Sequence, residues 1–94
     1  MPVATTLEFP GVTQDQYDEM GSILAGGAPP TGLLYHACGP IGGAWRISDL
    51  WESQEKFDHY VDERLLPAMR SVGGPEPSRR EVIETHHAGP VSQP

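Results

Sequence analysis

The sequence predicts an α+β fold, a ferredoxin-like sandwich with the element order β-α-β-β-α-β, and three observations carry that expectation. Apolar residues alternate with a period of two near the start, two amphipathic segments follow a helical period, and glycine and proline fall in clusters between such segments. The clusters are Gly26-Gly27, Pro29-Pro30, Gly39-Pro40, Gly42-Gly43, Gly73-Gly74-Pro75 and Gly89-Pro90. They act as punctuation and form no repeat.

Each element has its own justification. Val3, Thr5, Leu7 and Phe9 alternate with Ala4, Thr6 and Glu8, the pattern of a strand with one apolar face, and Pro10-Gly11 ends it. Thr13 stands where it can cap a helix, Gln16 where it can reach back in a capping box, and Val12 with Tyr17 as a hydrophobic staple. Tyr17, Met20, Ile23 and Leu24 form the apolar stripe of that helix, and Gly26-Gly27 stops it. Leu33 to Cys38 and Trp45 to Glu52 are rich in β-formers, so the glycine-rich run from Gly39 to Ala44 predicts a hairpin. Ser53 caps the second helix, with Glu55 near its N-terminus, where the helix dipole favours an anion. Phe57, Tyr60, Val61, Leu65, Ala68, Met69 and Val72 follow i, i+3, i+4 spacing. Pro67 interrupts them and predicts a kink near Leu66, because proline lacks an N–H and clashes one turn back. Arg80 to His87 forms a weaker last strand.

Length and composition bound the rest. Ninety-four residues suit one domain, expected over 1–88, with a disordered tail at 89–94. The net charge of −7 disfavours nucleic acid as a partner. No apolar run approaches the ~20 residues of a membrane helix, and the opening MPVATTLEFP does not resemble a signal peptide. A single cysteine, Cys38, makes no internal disulfide and suits a reducing cytoplasm. Two helices cover only one face of a four-stranded sheet. Leu33, Tyr35 and Ala37 on one side and Leu34, His36 and Cys38 on the other leave both faces of the hairpin strand apolar, so a homodimer is expected.

Chemistry concentrates on the hairpin. If residues whose numbers sum to an odd value face each other, His36 and Cys38 share a side with Trp45, Ile47, Asp49 and Trp51; an even register sets His36 beside Arg46 and Ser48. The odd register is preferred because it gathers both tryptophans under the helices. A pocket there is walled by Tyr17, Met20, Phe57, Tyr60 and Val61, with His36 as a general base oriented by Asp49. Trp45 and Trp51 offer flat walls for an aromatic ligand, and His86 is a further residue expected to face the cavity. The plainer alternative is a core histidine bonded to a carboxylate for packing alone. Adjacent strand residues such as His86 and His87 point to opposite faces, so no metal is expected. Cys38 reads as a small buried hydrophobe and His59 as surface.

Gly43-Ala44-Trp45-Arg46-Ile47-Ser48-Asp49-Leu50-Trp51-Glu52-Ser53, followed by Glu55-Lys56-Phe57, resembles the third strand and second-helix start of antibiotic-biosynthesis-monooxygenase-like proteins, particularly small actinobacterial ones. Thr6-Leu7-Glu8-Phe9-Pro10-Gly11 with Tyr17, and Gly32-Leu33-Leu34-Tyr35-His36, fit the same pattern. The resemblance implies a dimeric α+β barrel. It also implies one of several activities: cofactor-independent oxygenation of aromatic polyketides, haem degradation, isomerisation or cyclisation. The haem-degrading relatives carry a histidine towards the end of the second helix, where this chain has Ala68, Met69 and Arg70, so haem is not expected and no other cofactor is implied. Three functions remain open: an oxygenase or cyclase/isomerase of a phenolic or polyketide-like substrate, a non-catalytic dimer that binds a small apolar or aromatic ligand, and a dimerisation module filled by its own side chains.

Overall fold

The computed structural model describes residues 1–90. It comprises β1 (Val3–Pro10), α1 (Gln14–Ala25), β2 (Leu33–Ile41), β3 (Ala44–Trp51), α2 (Gln54–Tyr60), a π-helical segment (Val61–Leu65), α3 (Leu66–Ser71) and β4 (Arg79–Glu84). The strands form one antiparallel sheet in the order β2-β3-β1-β4. Val3, Leu7, Phe9, Trp45, Ile47 and Trp51 of the sheet enclose a single core with Met20, Phe57, Val61, Leu65 and Met69 of the helices. The arrangement is a ferredoxin-like α+β sandwich with helices on one face. No helix of the described residues is long and apolar enough to cross a membrane.

Local chemistry explains most of the boundaries. In β1, Val3, Thr5, Leu7 and Phe9 are buried in strict alternation. Thr13 caps α1 by accepting from the Gln16 N–H at 3.2 Å. The reciprocal half of the capping box does not form: Gln16 Nε2 donates instead to the Val72 carbonyl at 3.1 Å, tying α1 to the end of α3. Ile23 leaves the expected stripe and is exposed, while Met20 is buried and Tyr17 and Leu24 pack on the core. Ser53 caps α2 through the Lys56 N–H.

The hairpin is tighter than expected. Pairing runs from Ile41↔Ala44 inward, so the loop is Gly42-Gly43 alone. Their φ angles, +45° and +79°, are both left-handed, as a two-residue primed turn requires. The register is the odd one: His36 faces Asp49 and Cys38 faces Ile47. A bulge between Leu33 and Tyr35 adds Leu34 and reverses the phase of the strand start, so Leu33, facing Trp51, lines the helix-side cavity rather than sharing the face of Tyr35.

Pro67 produces a π-turn rather than a plain kink. Within an α-helix its ring would press on the Glu63 carbonyl and leave that acceptor unpaired. Here the Leu66 N–H reaches back to the Val61 carbonyl, and Pro67 falls in the first turn of α3, where a missing N–H is harmless. The extra residue advances the buried face, so Leu66 is buried beside Leu65 although the regular spacing omits it. At the other end, β4 stops at Glu84 because both the N–H and the hydroxyl of Thr85 bond the Pro2 carbonyl. The strand expected to reach His87 is therefore shorter. The tail expected at 89–94 lies outside the described residues from 91 onward, and Gly89 and Pro90 share a groove with Leu34, Tyr35 and Leu50 on the open face of the sheet.

Candidate functional site

Three elements converge on one cavity of about 200 Å³ between sheet and helices. α1 supplies Tyr17, Met20 and Leu24, the hairpin supplies Leu33, His36, Ile47, Asp49 and Trp51, and the second helix supplies Tyr60 and Leu65. The odd register sets His36 directly across from Asp49, and His36 Nδ1 lies 2.7 Å from Asp49 Oδ1. On the other side of the ring, His36 Nε2 lies 3.0 Å from the Tyr17 hydroxyl. With Asp49 ionised, Nδ1 carries the proton and donates to the carboxylate, so Nε2 accepts from the Tyr17 O–H. The result is a hydrogen-bonded chain, Tyr17–His36–Asp49, running from helix to sheet.

Burial differs sharply along that chain. The His36 side chain is 42% exposed and that of Asp49 only 8%. Burial raises the Asp49 pKa above the usual aspartate value, against the opposing effect of the His36 hydrogen bond. Burial likewise raises the Tyr17 phenol, with the neighbouring Cys38 and the Asp49 charge adding to it, so Tyr17 stays protonated and acts as a donor. Tyr60 is raised chiefly by burial, while the Arg64 charge pulls it down. Such an arrangement has the parts of a proton relay: a basic atom at His36 Nε2, a carboxylate at Asp49 that sets the tautomer, and a hydroxyl hydrogen at Tyr17.

The other expected residues divide. Trp51 is 1% exposed and lines the cavity, with its ring centroid 5.6 Å from that of Tyr60. Its indole N–H favours the Asp49 anion and pulls that pKa down but falls short of hydrogen-bond geometry, leaving Nε1 without a partner among the described residues. Trp45 is buried outside the cavity and stacks on Tyr17 at 5.0 Å, so it supports a wall rather than being one. Phe57 and Val61 are core residues behind the cavity. His86 lies beyond the end of β4 in a bend, is exposed and does not reach the cavity. Cys38 is exposed rather than buried, because β2 is an edge strand that the helices do not cover fully.

Sequence reasoning treated Tyr17 as a wall and missed its hydrogen bond to His36. The stripe of α1 placed Tyr17 on the inner side, but no local signal fixes how far a helix slides along the sheet it covers. Leu24 and Pro30 were also missed as lining residues; Pro30 enters because the connection between α1 and β2 folds back over Tyr60.

No family model matches the sequence, and no curated protein does. Solved structures match over nearly the whole chain. One is ActVA-Orf6, a monooxygenase of Streptomyces coelicolor in complex with the ligand nanaomycin D: identity is 17%, the TM-score 0.62, and 96% of this chain and 92% of that one are covered. Another is a variant of SnoaB, a cofactor-independent oxygenase of Streptomyces nogalater, at 10% identity and a TM-score of 0.64 over 96% of this chain and 98% of that one. A third is a dimeric ferredoxin-like protein of Thermobifida fusca, at 18% identity and a TM-score of 0.55 over 88% of each chain. At such identities the likeness is one of fold. The chain therefore carries the ferredoxin-like fold of the antibiotic-biosynthesis-monooxygenase-like proteins.

Proposed function

We propose that this chain is a small-molecule enzyme that removes a proton from an acidic phenol or enol and supports cofactor-independent oxygenation of the resulting anion. The observation that carries the reading is the Tyr17–His36–Asp49 chain at the wall of a cavity otherwise lined by apolar and aromatic side chains. The substrate O–H takes the place of the Tyr17 hydroxyl at His36 Nε2, which accepts its proton, and Asp49 stabilises the imidazolium that forms. The electron-rich anion reduces dioxygen and forms a C–O bond, giving a hydroperoxide on a ring carbon. Loss of water, with the hydrogen of that carbon, leaves a carbonyl. One oxygen atom ends in the product and one in water, and the substrate itself supplies all the electrons. The fold likeness to oxygenases supports the substrate class, a phenolic or polyketide-like molecule.

The test is dioxygen uptake with anthrone, whose oxygenation to anthraquinone consumes one dioxygen and releases one water. Uptake should resist chelators and fall about 10²- to 10⁴-fold in His36→Ala. A second reading, cyclisation or isomerisation of a similar substrate, is favoured by one observation: the chain of groups transfers protons and nothing else. Product formation without dioxygen uptake identifies it. Binding without turnover identifies a ligand-binding dimer instead.

The reading includes a homodimer in a reducing cytoplasm. Ile83, Ala4, Leu50 and Tyr35 form one cross-strand row on the open face of the sheet, with Tyr35 67% and Ile83 61% exposed. A second copy covers such a face, and sedimentation should give about twice the 10.2 kDa chain mass. A monomer at micromolar concentration contradicts it.

A further inference from the structure

Arg64 stands apart from the other cations of the chain. Lys56 pairs with Glu52, Arg46 with Glu8, Arg70 with Glu76, Arg79 with Glu8 and Glu81, and Arg80 with Asp58 and Asp62. Among the described residues Arg64 has no carboxylate within 4.0 Å, in a sequence with 13 acidic residues. Its guanidinium is half-buried and makes only two long bonds to neutral backbone, donating to the Ala28 carbonyl at 3.3 Å and the Leu24 carbonyl at 3.4 Å. Its charge rests 5.8 Å from the Tyr60 ring centroid.

That position is a boundary. Tyr60 and Pro30 line the His36 cavity, a second space of about 350 Å³ against α1, and an outer groove of about 480 Å³ that Arg64 also lines. The two residues therefore form a shared wall, a partition between the inner cavity and the outer groove. Arg64 clamps the partition, holding the strap at Ala28 on one side and Tyr60 on the other. Arg64 lies close over Gly27, where a Cβ would meet its guanidinium and oblige that flexible side chain to shift.

We propose that Arg64 recognises a carboxylate on the substrate from the outer groove, with the aromatic body lying across Tyr60 and Pro30 toward His36. This deepens the proposed function and rests on His36 marking the substrate site. A carboxylate binds guanidinium through two parallel charge-assisted bonds, each roughly twice as strong as a neutral one, and the two carbonyl bonds leave three of the five N–H donors for it. The inner cavity alone is below the ~300 Å³ typical of small-molecule pockets, whereas the joined spaces exceed it. Glu55 and Glu63 line the same groove and repel a second negative charge. The substrate class is accordingly an aromatic monoacid, with its phenol or enol inside and its single carboxylate at the mouth.

Matched probes test this on the intact protein: a hydroxybiphenyl carboxylic acid and its methyl ester, and a hydroxynaphthoic acid and its methyl ester, each titrated by calorimetry. The better-fitting acid should bind about tenfold or more tightly than its ester in the wild type, the difference expected of a charge-assisted contact. In Arg64→Met that ratio should fall to about one, and Arg64→Lys should keep part of it. Equal affinities in the wild type, absence of binding by all four probes, or a ratio that survives in Arg64→Met overturns the assignment. The wild-type comparison stands even if the variants fold poorly. His36→Ala separates the two ideas: unchanged dioxygen uptake there removes the oxygenase reading, while the acid-to-ester ratio alone decides Arg64.

Discussion

Asp49 and Asp62 each accept a short hydrogen bond from a nitrogen-bearing partner on another element, 2.7 Å from His36 and 2.8 Å from Arg80, yet their acidities move in opposite directions. At Asp62, on the exposed side of the second helix, the Arg80 hydrogen bond dominates and lowers the pKa. Water still solvates that carboxylate, so pairing adds to its comfort as an anion. At Asp49, beneath Trp51 and the helices, loss of water outweighs the His36 bond and the pKa rises. The same kind of contact thus fastens β4 to the second helix in one place and creates a carboxylate ready to share a proton in the other. Arg80 is purely a fastener: it spans Asp58 and Asp62 and lies over Phe57 at 5.5 Å.

The sharpest way to break this contrast is kinetic. His36→Ala should lose the 10²- to 10⁴-fold expected of a general base, while the His36→Ala/Asp49→Asn double variant should be scarcely slower, because the pair acts as one unit. Additive losses in steady-state turnover would mean that Asp49 acts on the substrate directly. Next in size, Arg80→Ala should cost about 1–2 kcal/mol in chemical denaturation, from two screened ion pairs and lost packing, with turnover intact. A catalytic defect there would erase the distinction between the two pairs.

A smaller effect appears in stability against pH. Asp49 has a folded pKa above its unfolded one, so the folded state binds the proton more tightly, and its contribution is fully present at low pH and lost as pH rises through the folded value. Asp62 has the reverse sign, contributing above the usual aspartate range and losing that contribution as pH falls. Melts of Asp49→Asn should therefore gain on the wild type as pH rises through the usual aspartate range and beyond it. A gap that instead opens on acidification would assign Asp49 to the Asp62 class. Smallest of all, Pro67→Ala should leave the fold unchanged and shift the melting midpoint by a few degrees at most, because the π-turn already satisfies the backbone around it.

The sequence makes some of this legible and conceals the rest for identifiable reasons. Alternation in Val3–Phe9 and the Thr13 and Ser53 caps follow from short-range rules with fixed periods, whereas the pairing of His36 with Asp49 is one of two registers the sequence allows, preferred because it gathers both tryptophans under the helices. The Leu34 bulge and the π-turn escape such rules because each adds a residue without altering the composition around it. Gln16 bonds Val72 rather than its own helix start, a choice set by tertiary proximity across 56 residues. The Tyr17 contact to His36 has the same origin. Arg64 left a trace, four residues after Tyr60 on one helix face, but its lack of a carboxylate partner among the described residues is visible only when every other cation has found one.

The Gly42-Gly43 turn determines which side chains of β2 reach the cavity as much as the strand sequence itself does. Because the hairpin closes on two left-handed glycines, its length sets the parity of every residue behind it. A single inserted residue that shifted β2 by one position would turn His36 and Cys38 outward and carry Tyr35 and Ala37 inward, exchanging the face that meets the helices for the open face of the sheet in one step. Insertions of two would restore both. Among descendants of this sequence, drift in that loop should therefore come in even increments, and a lineage with an odd one should have lost the cavity chemistry and the apolar face for a second copy together.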